Sequence, residues 1–320
     1  MSRTTRQLAS SIRRPWTGES PEPRTSKLVS LREAAALVPD RCRIAFGGQS
    51  VYQHPMAFVR ELARQRRREL TVIGVLNGPE LDLLVGAGAV AVVETSYVGL
   101  EQFGLAPNYR RAVEAGRLKV HDYSEVVAFD RFRASEAGWT FLPVYSLAGS
   151  DVMTGNTNAR EMTCPFTGTP LQVVPAANVD VVVVHVGLAD EYGNVLAPAS
   201  RLVPQTFDGV MARASDRVIV TAERIVSNQF VRQHADLTVI SGLRVEAVAH
   251  APRGAHPCHS LGFYQLDVDH FERYLAASRS AEDFHAYLET YVYGPADNDA
   301  YLDLTPASRW ATLETGTGLL

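Results

Sequence analysis

Lysine is nearly missing from this 320-residue sequence. Lys27 and Lys119 are the only two, and the rest of its 31 basic residues are arginine. Schiff-base chemistry and phosphate-cradling lysines therefore have two candidates. Neither sits in a Gly-rich loop, which excludes a P-loop. Cysteine is scarce as well. Cys42, Cys164 and Cys258 are odd in number and widely spaced, so they make neither a disulfide framework nor a zinc site. Reduced thiols and a cytoplasmic location are the expectation. Positive charge is not in excess: 35 acidic residues leave a net charge of -4. That balance argues against nucleic acid and against an anionic lipid surface as partners. Long apolar runs are absent too. The most apolar one, residues 179–188, is broken by Asp180 and His185, so no membrane span is expected. No G-x-S-x-G elbow occurs, and α/β-hydrolase serine chemistry has no anchor.

What is present is alternation. The first residues carry Arg3, Arg6, Arg13 and Arg14 with no acid before Glu19 and no apolar core of a signal peptide. Residues 1–26 read as a mobile, solvated tail, and residues 27–320 as one folded body. Within it, strands are expected at 43–46, 70–75, 90–93, 118–123, 179–186, 217–221, 237–240 and 245–251. Pro55 opens a helix, a second helical piece ends at Gly86, a third covers 106–115, and Ser124 caps a fourth. Residues 271–293 read as two helices parted near Ser280. Residues 153–170 fit neither period and read as an excursion from the sheet. Strands that alternate with helices predict an α/β fold, a mainly parallel open sheet with helices on both faces. Ligands of such sheets sit beyond the carboxyl ends of the strands. The loops after Phe46, Val75, Val93, Val186 and Ala222 are therefore the places to search.

Five local signals stand out. Gly47 and Gly48, followed by Gln49 and Ser50, bring bare backbone to a strand end, where N–H groups can meet an oxyanion. The same pair also fits an ordinary tight turn. The run from Gly86 to Ala91 matches a GxGxxA dinucleotide fingerprint, but it follows a helix and precedes a strand, the reverse of the required order. Thr95, Ser96, Tyr97 and Glu101 place hydroxyls and a carboxylate after a strand, as a substrate site or as a surface loop. Asp190, Glu191 and Asn194 flank a Gly turn and either bind a ligand or simply turn the chain. His256, Cys258 and His259 hint at a metal, yet no fourth ligand is near, so a structural loop and no metal are expected.

Residues 40–55, DRCRIAFGGQSVYQHP, resemble the signature of the α subunit of family I coenzyme A transferases. Asp40, Ile44-Ala45-Phe46, Gly47-Gly48 and Pro55 match. Gln49 stands where Phe is usual, Gln53 where Gly is usual, and Arg41 at a position that is small in the family. Further stretches resemble the glutaconate CoA-transferase α branch, in the same order. They are Ser96 to Gly99, Cys164 to Gly168, Ala189 to Asn194, Val220 to Val226 and Arg253 to Pro257. The resemblance spans about residues 28–293.

It implies the CoA-transferase (ribose-5-phosphate isomerase-like) fold and an α subunit in an α/β hetero-oligomer. In the family a glutamate attacks the acyl-CoA thioester, and CoA returns to form a glutamyl-CoA thioester. An acceptor carboxylate then takes the CoA, which is covalent, ping-pong catalysis. That glutamate lies in a Ser-Glu-Asn-Gly motif on the β half, and the motif does not occur here. A β partner would supply it. By resemblance this chain would contribute Gly47 and Gly48 as the oxyanion loop and Gln49, Ser50, Asn77, Gly78, Ser96 and Tyr97 as pocket groups. Coenzyme A thioesters would be substrates, with no permanently bound cofactor. A second implication is a related hydrolase that opens a cyclic keto acyl-CoA by carbon–carbon cleavage. Its α subunits carry a glutamate directly after Ser-Tyr-Val-Gly, where this sequence has Leu100 and then Glu101. A third is a non-catalytic ligand-binding homologue. Glu80 and Glu101 are the two glutamates near the candidate loops that could replace the missing nucleophile.

Overall fold

The computed structural model describes residues 24–145, 150–198 and 203–315. The expected tail falls almost wholly outside them. The chain begins with β1 (Leu28–Val29) and α1 (Leu31–Ala36). Ser30 opens α1 by a capping box: it accepts from the Glu33 N–H while Glu33 accepts from the Ser30 N–H, which satisfies two otherwise orphaned donors. Three strand–helix units follow. They are β2 (Arg43–Phe46) with α2 (Met56–Arg64), then β3 (Leu70–Ile73) and β4 (Leu76–Asn77) with α3 (Pro79–Gly86), then β5 (Val90–Thr95) and β6 (Tyr97–Val98) with α4 (Pro107–Glu114). β7 (Lys119–Asp122) leads into α5 (Glu125–Glu136), capped by Ser124 as its sequence predicts.

β8 (Phe141–Val144), α6 (Asp151–Gly155), β9 (Arg160–Thr163) and β10 (Pro170–Pro175) then leave the main sheet. The return comes with β11 (Val181–Asp190), β12 (Val195–Leu196), α7 (Val203–Arg213), β13 (Val218–Val226), α8 (Asn228–Gln233), β14 (Thr238–Ile240) and β15 (Val245–His250). Four helices close the body: α9 (Val268–Ala277), α10 (Ala281–Leu288), α11 (Asn298–Leu302) and α12 (Ala307–Leu313).

The main sheet runs β1-β15-β13-β11-β2-β3-β5-β7, and every neighbouring pair along that path is parallel. β12 and β14 add antiparallel partners beside β11. Side chains alternate between faces along each strand. Ile44, Phe46, Val181, Val183 and Ile219 join a cluster with α2 and the C-terminal helices, through Phe271, Tyr274 and Phe284. Ala45, Val182, Val184, Val218 and Val220 join the other cluster, with Phe132 of α5 and Met211 of α7. Each fully buried Val or Phe contributes about 1.5–3 kcal/mol, so the two layers hold the central strands rigidly. The expected α/β architecture, parallel sheet and helices on both faces are present.

One expectation is borne out and one is corrected. Residues 153–170 are an excursion from the main sheet: they contain the end of α6 and all of β9, and β8, β10 and β9 form a separate antiparallel sheet. The turn between β9 and β10 is closed by the Cys164 N–H on Thr169 O, 2.8 Å, with Gly168 at φ +72°. Pro143 lies in the edge strand β8, and Pro170 and Pro175 are the first and last residues of the central strand β10, positions that tolerate a missing donor better than a strand interior does. The correction is that β11 and β13 run past Val186 and Thr221. His185 and Glu223 look like interruptions in sequence. In the fold, His185 Nδ1 lies 2.9 Å from Thr221 Oγ1 and Nε2 2.9 Å from Glu223 Oε1, so the polar groups satisfy each other inside the sheet. Among the described residues, no helix is long and apolar enough to cross a membrane.

Candidate active site

β2, β3 and β5 are neighbours in the sheet, so the loops leaving their carboxyl ends lie side by side. These loops carry the residues singled out from the sequence. The Ser50 N–H donates to Leu76 O at 2.9 Å, and the Gly99 N–H to Asn77 O at 3.2 Å. β4 and β6 add a short parallel ladder, Leu76 against Tyr97 and Asn77 against Val98. Thr95 Oγ1 donates to Asn77 Oδ1 at 2.7 Å, and Ser96 Oγ to Val75 O at 2.5 Å. Gln49, Ser50, Asn77, Gly78, Ser96 and Tyr97 are thus gathered into one wall. Ser50 and Asn77 are buried, Gln49 and Ser96 half-buried, and Tyr97 exposed. Ser50 Oγ is buried without a hydrogen-bond partner among the described residues.

Behind the wall stands a pair that the sequence did not flag together. Glu80, in the first turn of α3, is fully buried. It accepts from the Gly78 N–H at 2.9 and 3.1 Å and from Asn77 Nδ2 at 2.8 Å. His54 Nε2 lies 3.1 Å from Glu80 Oε2, and His54 Nδ1 lies 2.8 Å from Gly47 O. Burial pushes the His54 imidazole below its usual pKa, against the pull of the Glu80 carboxylate. The His54–Glu80 pair therefore ties the first loop to the second. Glu80 is committed to that network and faces no solvent.

Gly47 and Gly48 lie where expected, at the end of β2, but their N–H groups are occupied. The Gly47 N–H donates to Val183 O at 2.7 Å and the Gly48 N–H to Asp208 Oδ1 at 2.8 Å. Asp208, on α7, was not singled out from the sequence. Its distance of 160 residues from Gly48 hides it. Gly47 has to be glycine here, because a Cβ would stand 2.5 Å from Asp208 Oδ1. Gly48 adopts φ +91°, which glycine alone adopts without strain.

Glu101 begins a single 3-10 turn after β6, at φ +51°, and is exposed. Partial burial, with the Glu101 carboxylate adding to it, raises the Tyr97 phenol. The remaining signals resolve as structure. Gly86 ends α3, and a Cβ there would meet the Phe284 ring at 2.1 Å, so the GxGxxA run serves helix packing. Asp190 accepts from the Tyr192 and Asn194 N–H groups and from the side-chain amides of Asn194 and Asn228, so it builds the turn. His256 contacts Tyr301 OH at 2.7 Å and Asp267 Oδ2 at 3.0 Å, which engages both ring nitrogens. Burial raises the Cys258 thiol well above its usual value. Among the described residues, no cluster of metal-ligating side chains is present.

A parallel sheet whose glycine-rich loop meets two neighbouring loops at the strand ends defines the candidate site. Residues 28–251 match the family model described as Coenzyme A transferase, and the chain belongs to that family. It is 35% identical over 88% of its length to an uncharacterized protein of Archaeoglobus fulgidus, of which it spans 63%. It is 31% identical to the A-type subunit of glutaconate CoA-transferase from Acidaminococcus fermentans, over 92% of this chain and 96% of that one. The crystal structure of the Acidaminococcus enzyme superimposes with a TM-score of 0.84 over 92% of this chain and 98% of that one, at 30% identity. A cholesterol ring-cleaving hydrolase IpdA subunit of Rhodococcus jostii is 28% identical over 85% of this chain and 94% of its own. The CoA-transferase fold expected from the sequence is therefore present.

Proposed function

We propose that this chain is the α subunit of a heteromeric CoA-transferase. The enzyme moves coenzyme A between an acyl-CoA and a free carboxylic acid, through a glutamyl-CoA thioester carried by a partner β subunit. The observation that supports this most is the state of the carboxylates at the loop cluster. Glu80 is locked behind the wall and Asp208 lies beneath the glycine pair, so neither is placed to attack a thioester from solvent. The wall instead offers hydroxyl, amide and backbone groups, which suit holding an acyl carbonyl and an acid while a nucleophile arrives from another chain. In this reading Gln49, Ser50, Asn77, Gly78, Ser96 and Tyr97 line the acyl and acid pocket, while Gly47 and Gly48 shape the loop rather than bind an oxyanion, because Val183 O and Asp208 Oδ1 take their N–H groups. The resemblance to a protein that is itself named as one subunit of a transferase supports the need for a partner.

The test is co-purification with the β subunit, assay of CoA exchange between an acyl-CoA and an acid, and trapping during turnover. Borohydride or hydroxylamine adds a mass label to the glutamate that carries CoA, and mass spectrometry reads which chain holds it. Label on the β subunit supports the proposal. Label on this chain, or no exchange with a folded complex, overturns it.

One observation favours a second reading, carbon–carbon hydrolysis of a cyclic keto acyl-CoA. Glu101 is exposed beside Tyr97 at the edge of the same wall, and a ring-cleaving hydrolase component is among the relatives. Release of a ring-opened acid from a cyclic keto acyl-CoA, without an acceptor acid, would establish it.

A further inference from the structure

We propose that the outer face of the β8–β10–β9 sheet, with Phe166 at the tip of its hairpin, is the surface on which the β subunit docks. This inference rests on the reading of the chain as one half of a heteromer. An antiparallel sheet ordinarily buries one face and turns polar side chains to water on the other. This sheet carries apolar side chains on both. Leu142 and Val144 of β8 and Val174 of β10 are buried, in the cluster that holds Phe132 of α5. The alternate residues Phe141, Pro143 and Tyr145 point the other way, and Phe141 is 46% and Tyr145 70% exposed. The register sets Pro143 opposite Val173 and Leu171 opposite Met162, so the apolar face continues across all three strands. Arg160, opposite Val173, is its charged residue, and its Nη1 is turned back onto Thr157 O and Ala159 O at 2.6 and 2.7 Å. Glu161, opposite Gln172, belongs to the inner face.

Phe166 is 94% exposed at the turn from β9 to β10. Besides the Cys164 bond to Thr169, the Gly168 N–H donates to Cys164 O at 2.9 Å. The turn is therefore held in shape, and little ordering remains for binding to impose. An aromatic ring presented in this way has the form of an interface anchor that fills a pocket on a partner. At about 200 Å² for a whole aromatic side chain, Phe141, Tyr145 and Phe166 leave about 400 Å² uncovered. That is about half of what each partner gives to a stable interface, before Pro143, Leu171 and Val173 are added. A nearly uncharged, aromatic-rich face matches the core of an interface. The place where the sheet is fastened selects its occupant. Asn156, between α6 and β9, donates Nδ2 to Asp122 O at 2.7 Å, at the end of β7. The Tyr123 N–H donates in turn to Thr95 O at 3.0 Å, at the end of β5. The sheet thus borders the third loop of the candidate site, which the chain that brings the nucleophile has to reach. A second copy of this chain brings no Ser-Glu-Asn-Gly motif.

The experiment places a photo-reactive side chain, Phe166→p-benzoylphenylalanine, in the full chain co-expressed with its β subunit. The purified complex is irradiated, and mass spectrometry reads which chain is joined to position 166. The expected result is an adduct with the β subunit. The same substitution at Leu243, 93% exposed between β14 and β15, should give none. In a second measurement, Tyr145→Glu should weaken association with the β subunit about thirtyfold, the scale of one anchor residue. Tyr145 is exposed, so its circular dichroism should stay that of wild type. An adduct between two copies of this chain overturns the proposal. So does a complex without an adduct, an equal yield from positions 166 and 243, or a folded Tyr145→Glu chain with wild-type affinity. CoA exchange is assayed on the same complex. Exchange without a β adduct refutes this face alone, and a β adduct without exchange refutes the transferase reading alone.

Discussion

Gly78 passes so close to Ser50 that a Cβ on it would stand 1.7 Å from the Ser50 carbonyl oxygen. Both partners are backbone, so no side-chain rotation relieves the contact. Gly78→Ala should separate the first two loops of the site. Overpacking of this kind costs about 1–3 kcal/mol, visible as a lowered Tm. CoA exchange should fall further than the loss of folded protein accounts for. An unchanged Tm together with unchanged exchange would show that the close approach does not exist.

Glu80→Gln tests the His54–Glu80 pair. The carboxylate accepts from Asn77 and Gly78, and an amide nitrogen in place of one oxygen would oppose one of those donors. Hydrogen bonds to a charged group are worth about 1.5–3 kcal/mol each, so chemical denaturation should show a loss of that order. The mass label trapped during turnover should stay on the β chain. Label found on Glu80 in the wild-type complex, and lost in a folded Glu80→Gln complex, would make Glu80 the nucleophile.

Glu101→Gln separates the two chemistries. In a transferase the exposed carboxylate is dispensable, and exchange should stay within about twofold, well under 1 kcal/mol. Loss of activity by about a hundredfold or more, near 2.7 kcal/mol, would favour hydrolysis. The titration of Tyr97 supplies an internal control, because removing the Glu101 charge should bring its raised phenol down.

Arg131→Met should destabilise the third loop from behind. Glu94, next to Thr95 on β5, is held by Arg131 at 2.5 Å and Arg43 at 3.1 Å. Burial works to raise the Glu94 carboxyl, but the Arg131 and Arg43 guanidiniums outweigh it and hold it below the usual range. A carboxyl lowered by folding stabilises the native state above its unfolded pKa of about 4.3, and that stabilisation is lost as the pH falls. Removing one partner of a buried pair costs about 3–5 kcal/mol. The Tm gap between wild type and variant should be widest at neutral pH and close in acid. A gap that is constant with pH would mean that packing, not charge, is lost.

Much of this was legible from local pattern. The helix cap at Ser124 follows from short-range hydrogen bonding and was expected from the sequence, whereas the capping box of Ser30 and Glu33 was not singled out. The predicted strands at 43–46 and 245–251 lie within a residue of the observed ones because buried parallel strands are written as apolar runs. The loops after Phe46, Val75 and Val93 were nominated by sheet geometry, and their contact in the fold follows from the adjacency of β2, β3 and β5. What stayed hidden was non-local. Asp208 lies 160 residues from Gly48, and His185 and Glu223 lie on different strands. Polar residues that satisfy one another across a sheet look like strand ends when read singly. Strands β8 and β10 were obscured by Pro143, Pro170 and Pro175, and β9 by its four-residue length.

The wall joined by Ser50, Leu76, Asn77, Tyr97 and Val98 is fastened mostly by main-chain atoms, through the β4–β6 ladder and the bond from Ser50 to Leu76. Its outline is therefore insulated from the identity of the side chains it displays. Gln49, Ser96 and Tyr97 can change without unfastening the loops, while the glycines and the buried acids beneath them cannot. Such a scaffold separates the part that selection can vary from the part that must be inherited intact.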